Sequence, residues 1–586
     1  MNGTTYALLA VALVLTYQTW GHADLLAFGG LTLGVTLALF AIQKGGYLYS
    51  LIVLPLVLAA AFASTDPGSP AGQREAEANR RAMTGLGLFY LIIGLCRALP
   101  FCDTTPDVPE WLSGASNIGL AFLPVYRLWT VSVGLSVLLV MIAFRRRGNE
   151  RFRLNNAVLN NAVLNSARAM SVGLSAFVGV LTAPVLASGP YAGSMYLVPV
   201  LSIFVICSAK KPVYVAIIAF LLGLLEAAAR VFYPEMSSIV LPAVAVLVLF
   251  SRNGYAGLPW THAVNLSSTW RPSQQSIVND ETSFLVFLFV GLGISVAAVL
   301  RGGLQGDLLI RIWTLALSAA AFSRLFKDYG ILSFGHAMYF GVSCYATAAF
   351  IRYLSPNPFF GALAGSAVAG MLGLATTIRS ETFDRQTYAM ALLLISVVVY
   401  QTTLNLPGLG GEDGMLDLPR YFENEAALVW FAFAMIAMGF GALQLGARSF
   451  DTGNQASGLS FAVAAAVTGL AGSVKTLYSG YTHLGNVYWT MTVLTALTTV
   501  AGKFKNVGVV IAATTVIAFE EWVPEWIRTG YIIAPESFQA IFGESGTPDE
   551  LTVIQIVIGA ALMFFAKLRL CAHGHVSIDD HARKQS

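Results

Sequence analysis

Charged residues are scarce in this chain. Only 11% of its 586 residues are Asp, Glu, Lys or Arg, whereas soluble domains average roughly 25%. Hydrophobic residues make up 56%. Because there are too few polar side chains to cover a soluble globule, lipid must be the solvent for most of the chain. The net charge of +3 is too small to indicate a nucleic-acid partner.

Paired cysteines, nucleotide-binding motifs and catalytic constellations are also missing. The cysteines lack paired spacing, which argues against a disulfide framework or a zinc ribbon. Cys571, His573 and His575 alternate near the C-terminus, but so short a tail cannot enclose a metal, and no metal site is predicted. No GxxxxGK[ST] string and no nucleophile–His–acid spacing occurs, so we expect neither an enzyme nor an ATP-binding chain. The N-terminus lacks a basic region, so residues 5–19 are interpreted as a retained span rather than a signal peptide.

Long apolar runs are what the chain has in abundance. A membrane-spanning helix needs about 20 mostly apolar residues, because the hydrocarbon core is roughly 30 Å thick. About nineteen segments meet this criterion, among them 282–300, 307–323, 358–378 and 458–478. One polar stretch at 251–281 interrupts them. The predicted fold class is therefore all-α, a polytopic transmembrane helical bundle.

The basic loops give these spans a direction. If the spans alternate across the bilayer, the basic clusters all fall on one side, which the positive-inside rule assigns to the cytoplasm. These clusters lie at 80–81, 145–147, 210–211, 324–327, 379–385, 503–505 and 567–569. We therefore predict an N-terminus outside and a C-terminus in the cytoplasm.

Short strings recur in the two halves in the same order, roughly 285 to 315 residues apart. They pair His22 with His336, Gly173 with Gly458, Tyr196 with Tyr488, Lys210 with Lys503, and Glu226 with Glu520. This order predicts two parallel repeats of the same orientation, related by an axis along the membrane normal, with a substrate path at their interface. The predicted lobes are 1–251 and 305–570, joined by a linker and an extra span at 252–304 and followed by a cytoplasmic tail at 571–586.

Residues 329–340, YGILSFGHAMYF, resemble the permeases of branched-chain amino acid (LIV-type) ABC importers, a family that also handles amides and urea. The resemblance continues at 410–414, GGEDG, and at 465–473, AAVTGLAGS, and likens the second half to the second permease of the family. In the first half, 5–14 and 221–227 resemble the first permease.

The resemblance implies a fused two-lobed permease that carries amino acids or related small polar or amide solutes across the bacterial inner membrane by alternating access. A periplasmic binding protein would deliver the solute. Separate cytoplasmic ABC ATPase subunits would bind the ATP, so the chain itself needs no cofactor. The lipid bilayer is the remaining predicted partner.

Two cytoplasmic loops depart from the family's pattern of charged, ATPase-docking helices. The first, at 145–165, has a single acidic residue, and so has the second, at 446–457. The candidates for ATPase contact are Arg145, Arg146, Arg147, Glu150, Arg151, Arg448 and Asp451. Because the departures fall where coupling should occur, two alternatives stay open: an ion-coupled secondary transporter and a non-transporting membrane assembly subunit.

Histidines beside glycines are the first candidates for the translocation pathway. They are His22 and the string Ser333, Phe334, Gly335 and His336. Glycine lets backbones approach closely, and freed backbone groups can line a cavity. The alternative interpretation is that each histidine simply hydrogen-bonds a neighbouring helix.

Acidic residues provide the remaining candidates. Glu226 and Glu520 lie within predicted spans, where an ionisable group costs about 2.5–3.5 kcal/mol and usually faces protein or water. Arg230 follows Glu226 at i+4, so a structural ion pair is the alternative for that residue. Glu412 and Asp413 lie in a predicted outer loop and are candidates for contact with the binding protein, the alternative being a solvated loop.

Overall fold

The structure is a computed structural model, and it describes the chain in the following segments. The described residues are 5–12, 26–43, 47–63, 74–97, 112–118, 121–148, 157–185, 192–207, 212–251, 291, 305–329, 333–377, 385–419, 422, 424–449, 458–528 and 552–565. The extra span predicted at 282–300 therefore lies outside the described residues, apart from Gly291.

Helices account for nearly all of this structure. In chain order they are α1 (5–12), α2 (Leu26–Gln43), α3 (Tyr47–Ala63), α4 (Arg74–Arg97), α5 (Val125–Gly148), α6 (Ala157–Thr182), α7 (Ala192–Cys207), α8 (Pro212–Phe232), α9 (Ser237–Ser251), α10 (Gln305–Tyr329), α11 (His336–Tyr353), α12 (Pro358–Thr377), α13 (Arg385–Asn405), α14 (Glu425–Ser449), α15 (Gly458–Ser479), α16 (Thr490–Ala501), α17 (Asn506–Arg528) and α18 (Thr552–Phe565). Short 3-10 turns lie at Ala183–Val185, Pro234–Met236, Pro407–Leu409 and Leu484–Asn486.

The apolar composition of these helices suits a bilayer. Among the described residues, 6 helices are long and apolar enough to span a membrane, and several shorter apolar helices accompany them. In lipid a helix satisfies all its backbone hydrogen bonds internally, which is why apolar runs fold this way. The helical membrane-protein class is confirmed, whereas the count of about nineteen spans stays a prediction.

One short hairpin accompanies the helices and leaves the all-α class unchanged. Strands β1 (Ala115–Ile118) and β2 (Ala121–Pro124) pair antiparallel, with Ala115 opposite Pro124. The pair lies directly before α5, whose first residue, Val125, donates its N–H to the carbonyl of Gly114 at 3.1 Å.

The helices form two compact units. The first contains 1–237 and 522–586, and the second contains 238–521. Helix α9 therefore belongs to the second unit, and α18 returns to the first. The lobes predicted at 1–251 and 305–570 stay a prediction, because compact packing units do not by themselves define structural repeats.

The first unit is built around α2, which packs against α3, α4, α6 and α7. Glycines bring α2 and α6 into backbone contact: a Cβ on Gly34 would lie 2.3 Å from the carbonyl oxygen of Ala176. Helix α18 joins α4 in the same manner, since a Cβ on Gly559 would lie 2.8 Å from the carbonyl oxygen of Gly87. Small residues are the ordinary means of close packing between membrane helices.

The second unit is built around α15, which packs against α10, α11, α12 and α14. Here hydroxyls supplement the glycines. The Ser473 hydroxyl lies 2.6 Å from that of Ser343 and accepts a hydrogen bond of 2.8 Å from Thr347, which joins α11 to α15. Glycine at position 365 lets α12 approach this group, because a Cβ there would lie 2.2 Å from the Thr347 hydroxyl.

Candidate functional site

A cluster of charged and amide side chains interrupts the apolar second unit. Arg311 comes from α10, Lys475 from α15, Glu520 and Glu521 from α17, and Asn486 from the Leu484–Asn486 turn. The Arg311 guanidinium lies 2.6 Å from the Glu521 carboxylate and 3.6 Å from that of Glu520. The Lys475 ammonium donates to the Asn486 side-chain oxygen at 2.7 Å.

These pairs form one electrostatic group. Glu520 interacts electrostatically with Arg311, Lys475 and Glu521, and Lys475 interacts in turn with Arg311 and Glu520. Two cations and two carboxylates therefore share a small region on three membrane helices, and the charges of the group balance.

The cluster is not sealed inside the unit. The side chains of Arg311, Glu520 and Glu521 are 33%, 23% and 43% exposed. Ionisable groups on membrane helices almost always face protein or a water-filled cavity, because exposure to hydrocarbon costs several kcal/mol. The exposed parts of these side chains are therefore candidates to line an aqueous path.

Backbone contacts fix the segment that supplies Asn486. Met415 and Thr482 exchange two backbone hydrogen bonds of 2.9 Å, which tie the segment after α15 to the loop after α13. Asn486 is 3% exposed, and its side-chain nitrogen donates to the Thr482 hydroxyl at 3.2 Å, which orients its oxygen. In the same segment, burial and the Lys475 charge lower the pKa of His483.

His336 begins α11 and is buried among its neighbours. Its Nε2 lies 3.2 Å from the carbonyl oxygen of Ser318 on α10 and 2.9 Å from the Thr468 hydroxyl on α15. Since a carbonyl can only accept, the contact with Ser318 is a hydrogen bond in the tautomer that carries the proton on Nε2. The ring also meets Phe322 and Tyr339 edge-on. This geometry matches the alternative that the histidine joins neighbouring helices.

The residues before His336 are equally enclosed. Ser333 and Phe334 are buried. A Cβ on Gly335 would lie 2.2 Å from the carbonyl oxygen of Leu392 on α13, so only glycine fits there. The next backbone N–H, that of Ala337, donates to the Thr492 hydroxyl at 2.9 Å. The start of α11 is thus held by α10, α13, α15 and α16, and its role in a pathway stays a prediction.

Glu226 in the first unit has a full set of partners. One carboxylate oxygen accepts from the Tyr6 hydroxyl at 2.5 Å, and the other pairs with Arg230 at 2.5 Å. The Glu226 side chain is only 6% exposed, and Tyr196 packs edge-on against Tyr6. The carboxylate joins α8 to α1, and its i,i+4 ion pair is the one that the sequence offered as an alternative.

Glu412 and Asp413 occupy a tight exposed turn after α13. Gly410, Gly411 and Gly414 all have positive φ angles, and a Cβ on Gly410 would lie 1.8 Å from the carbonyl oxygen of Gly414. Both carboxylates therefore project from a turn whose shape requires glycine.

The other predicted residues lie outside the described residues or in helix ends without described side chains. His22, Glu150, Arg151 and Asp451 lie outside the described residues, as does the tail with Cys571. Arg145, Arg146, Arg147 and Arg448 lie near the ends of α5 and α14, where only the backbone is described.

The sequence-based candidates omitted Arg311, Lys475 and Asn486. A signal existed for two of them, because Arg311 and Lys475 are basic residues inside the predicted spans 307–323 and 458–478. Asn486 carried none, because an asparagine in a loop is commonplace.

Part of the second unit matches a known protein family. Residues 305–447 match the model of the family described as branched-chain amino acid transport system / permease component. The second half carries a permease-family domain. It contains the motifs at 329–340 and 410–414, so the resemblance inferred from them is confirmed.

The permease-family match covers well under half of the chain. It includes Arg311 but ends before Lys475 and Glu520, and it does not reach the first half. Neither the curated proteins nor the solved structures include a significant match to this chain.

Proposed function

We propose that the chain is the translocation subunit of an ABC importer for amino acids or related small polar or amide solutes. The permease-family match at 305–447 is the observation that carries this proposal. In this scheme the solute arrives from a periplasmic binding protein and crosses the bacterial inner membrane by alternating access. Cytoplasmic ATPase subunits bind and hydrolyse the ATP, so catalysis resides in those partners.

The charged cluster of Arg311, Lys475, Glu520 and Glu521 supports a polar path in the second unit. A polar solute that loses its hydration needs replacement hydrogen bonds in the protein. The cluster offers donors and acceptors on three different helices.

The packing of helices supports the predicted repeat. In the first unit α2 packs against α3, α4, α6 and α7; in the second, α11 packs against α12, α13, α15 and α16. Each helix of the second list stands nine places after its counterpart in the first. This agreement favours two parallel repeats joined in one chain, the arrangement expected of a fused permease pair.

Reconstitution tests the proposal. We expect the chain to co-purify with ABC ATPase subunits encoded beside it, and we expect solute-loaded binding protein to stimulate ATP hydrolysis in proteoliposomes. A chain that forms no such complex, yet accumulates solute when a proton or sodium gradient is applied, would support the ion-coupled alternative. In that case Glu520→Gln should abolish uptake. A chain without any uptake would support the assembly-subunit alternative.

A further inference from the structure

Lys475 differs from Arg311 because, among the described residues, no carboxylate lies within ion-pair distance of its ammonium. Arg311 is paired with Glu520 and Glu521 at 3.6 and 2.6 Å, whereas Lys475 interacts with Glu520 only electrostatically at longer range. The ammonium of Lys475 instead meets the Asn486 side-chain oxygen at 2.7 Å and lies 5.7 Å from the centre of the Phe340 ring. An ammonium has three N–H donors, and one hydrogen bond is described.

The side chains around Lys475 are buried and held in place by their own contacts. Asn486 is buried, and its hydrogen bond to Thr482 aims the amide oxygen at the lysine. Phe340 and Val474 beside it are also buried. A cation on a membrane helix is expensive and normally pairs with an anion. An amide and a ring face stabilise it only partly, which leaves its charge available to an arriving anion.

We propose that Lys475 binds the carboxylate of the transported solute, with Asn486 and Phe340 holding the ammonium in place. This inference rests on the proposed function and narrows its substrate class to carboxylate-bearing solutes, in preference to ureas and neutral amides. An α-amino acid also carries an ammonium. Glu520 is the acceptor for it, because its ion pair with Arg311 is the longer of the two and Lys475 interacts with it electrostatically.

Matched carboxylate and amide probes test this proposal on the full chain alone, in lipid nanodiscs without ATPases. The pairs are leucine and leucinamide, benzoate and benzamide, and acetate and acetamide, titrated calorimetrically. For at least one pair we expect the carboxylate to bind about ten- to hundredfold more tightly than its amide, the effect of a hydrogen bond to a charged group. Lys475→Met should remove this preference and Lys475→Arg should retain much of it, while Lys505→Met, at an exposed lysine outside the cluster, should leave it unchanged.

A second variant keeps the test informative if Lys475→Met does not fold. Asn486→Asp places a carboxylate beside the ammonium with almost no change in size. It should raise the thermal unfolding midpoint and weaken carboxylate binding at least tenfold, because the charge of Lys475 is then already paired. A higher midpoint with unchanged carboxylate preference would mean that Lys475 has only a structural role, and would overturn the proposal.

Two further outcomes overturn the proposal. The first is that the wild-type chain prefers the carboxylate in no pair, because it binds both probes equally or binds neither. The second is that the carboxylate preference persists in Lys475→Met. Failure here is distinguishable from failure of the proposed function. ATP-driven uptake confined to neutral amides would sustain the importer and reject the role of Lys475. Carboxylate preference without any ATPase complex would do the reverse.

Discussion

In each unit a late helix carries an acidic residue that contacts an earlier helix, but the chemistry of the two contacts differs. In the first unit Glu226 is held by the Tyr6 hydroxyl and by Arg230, with both carboxylate oxygens occupied and little exposure. In the second unit Glu520 reaches Arg311 only at 3.6 Å and remains 23% exposed. An acidic residue inside an apolar span is thus an ambiguous sequence signal. It can mark a residue used for helix packing, such as Glu226, or a residue that remains available to a solute, such as Glu520. The donors around the carboxylate make the difference.

Helix packing shows a similar contrast. In the first unit bare glycines bring α2 and α6 together, as at Gly34. In the second unit serine and threonine hydroxyls join α11 to α15 beside the glycines. Hydrogen bonds between helices add specificity where apolar side chains gain nothing over lipid. Alanine substitutions at one glycine in each unit test whether both helix interfaces, α2 with α6 and α11 with α15, require glycine.

Gly34→Ala and Gly472→Ala should have the largest effects. The new methyl groups would lie 2.3 Å from the carbonyl oxygens of Ala176 and Phe340, so the helices must separate. Overpacking typically costs about 1–3 kcal/mol and occasionally more, and a clash with a backbone oxygen belongs at the upper end because that atom cannot rotate away. We expect a lower yield and a lower thermal unfolding midpoint in detergent for both variants. Gly441→Ala is the control, since nothing lies within 4 Å of its Cβ. An effect in one unit alone would mean that the two helix interfaces differ in their requirement for glycine.

Glutamine substitutions at the two acidic residues should change stability less than the glycine substitutions do, but they should affect the two units differently. Glu226→Gln leaves the Tyr6 hydroxyl and the Arg230 guanidinium competing for one amide oxygen, and the amide N–H₂ then faces a donor. The loss of a buried hydrogen bond to a charged group costs about 1.5–3 kcal/mol. Glu520→Gln weakens a long, partly exposed ion pair, and such pairs contribute about 0–1 kcal/mol.

Thermal unfolding of the two glutamine variants side by side measures this difference. The midpoint of Glu226→Gln should fall clearly, and that of Glu520→Gln should stay close to wild type. Equal falls would mean that Glu520 is as much a packing residue as Glu226, and the contrast between the units would disappear.

The sequence predicted the helices of both units far better than their contacts. Apolar runs such as 358–378 and 458–478 became α12 and α15, because the bilayer leaves an apolar segment little choice but helix. The β1–β2 hairpin was missed, since four-residue strands carry no periodicity long enough to detect. The return of α18 to α4 was missed as well, because it depends on Gly87 and Gly559, two small residues remote in sequence.

The candidate site was only half visible for the same reason. Glu520 was found from its charge within a span, and Arg311 and Lys475 carry the same signal. Their grouping could not be deduced, because it depends on how α10, α15 and α17 pack. Asn486 becomes meaningful only once the turn after α15 places its oxygen at Lys475.

The smallest expected change in stability concerns acids that face neither helices nor lipid. Glu412 and Asp413 are exposed on the glycine-shaped turn after α13, so Glu412→Gln with Asp413→Asn should alter the unfolding free energy by less than about 0.5 kcal/mol. If the turn docks the binding protein, removing its charges should slow association several-fold at low ionic strength. That difference should shrink as salt is added, since rim charges act mainly on association rates. Surface plasmon resonance with the loaded binding protein measures both. An association rate that is unchanged at low salt would assign these carboxylates to solvent alone. Of the acids compared, Glu226 would then serve packing, Glu520 would remain the one available to a solute, and Glu412 and Asp413 would only keep the turn hydrated.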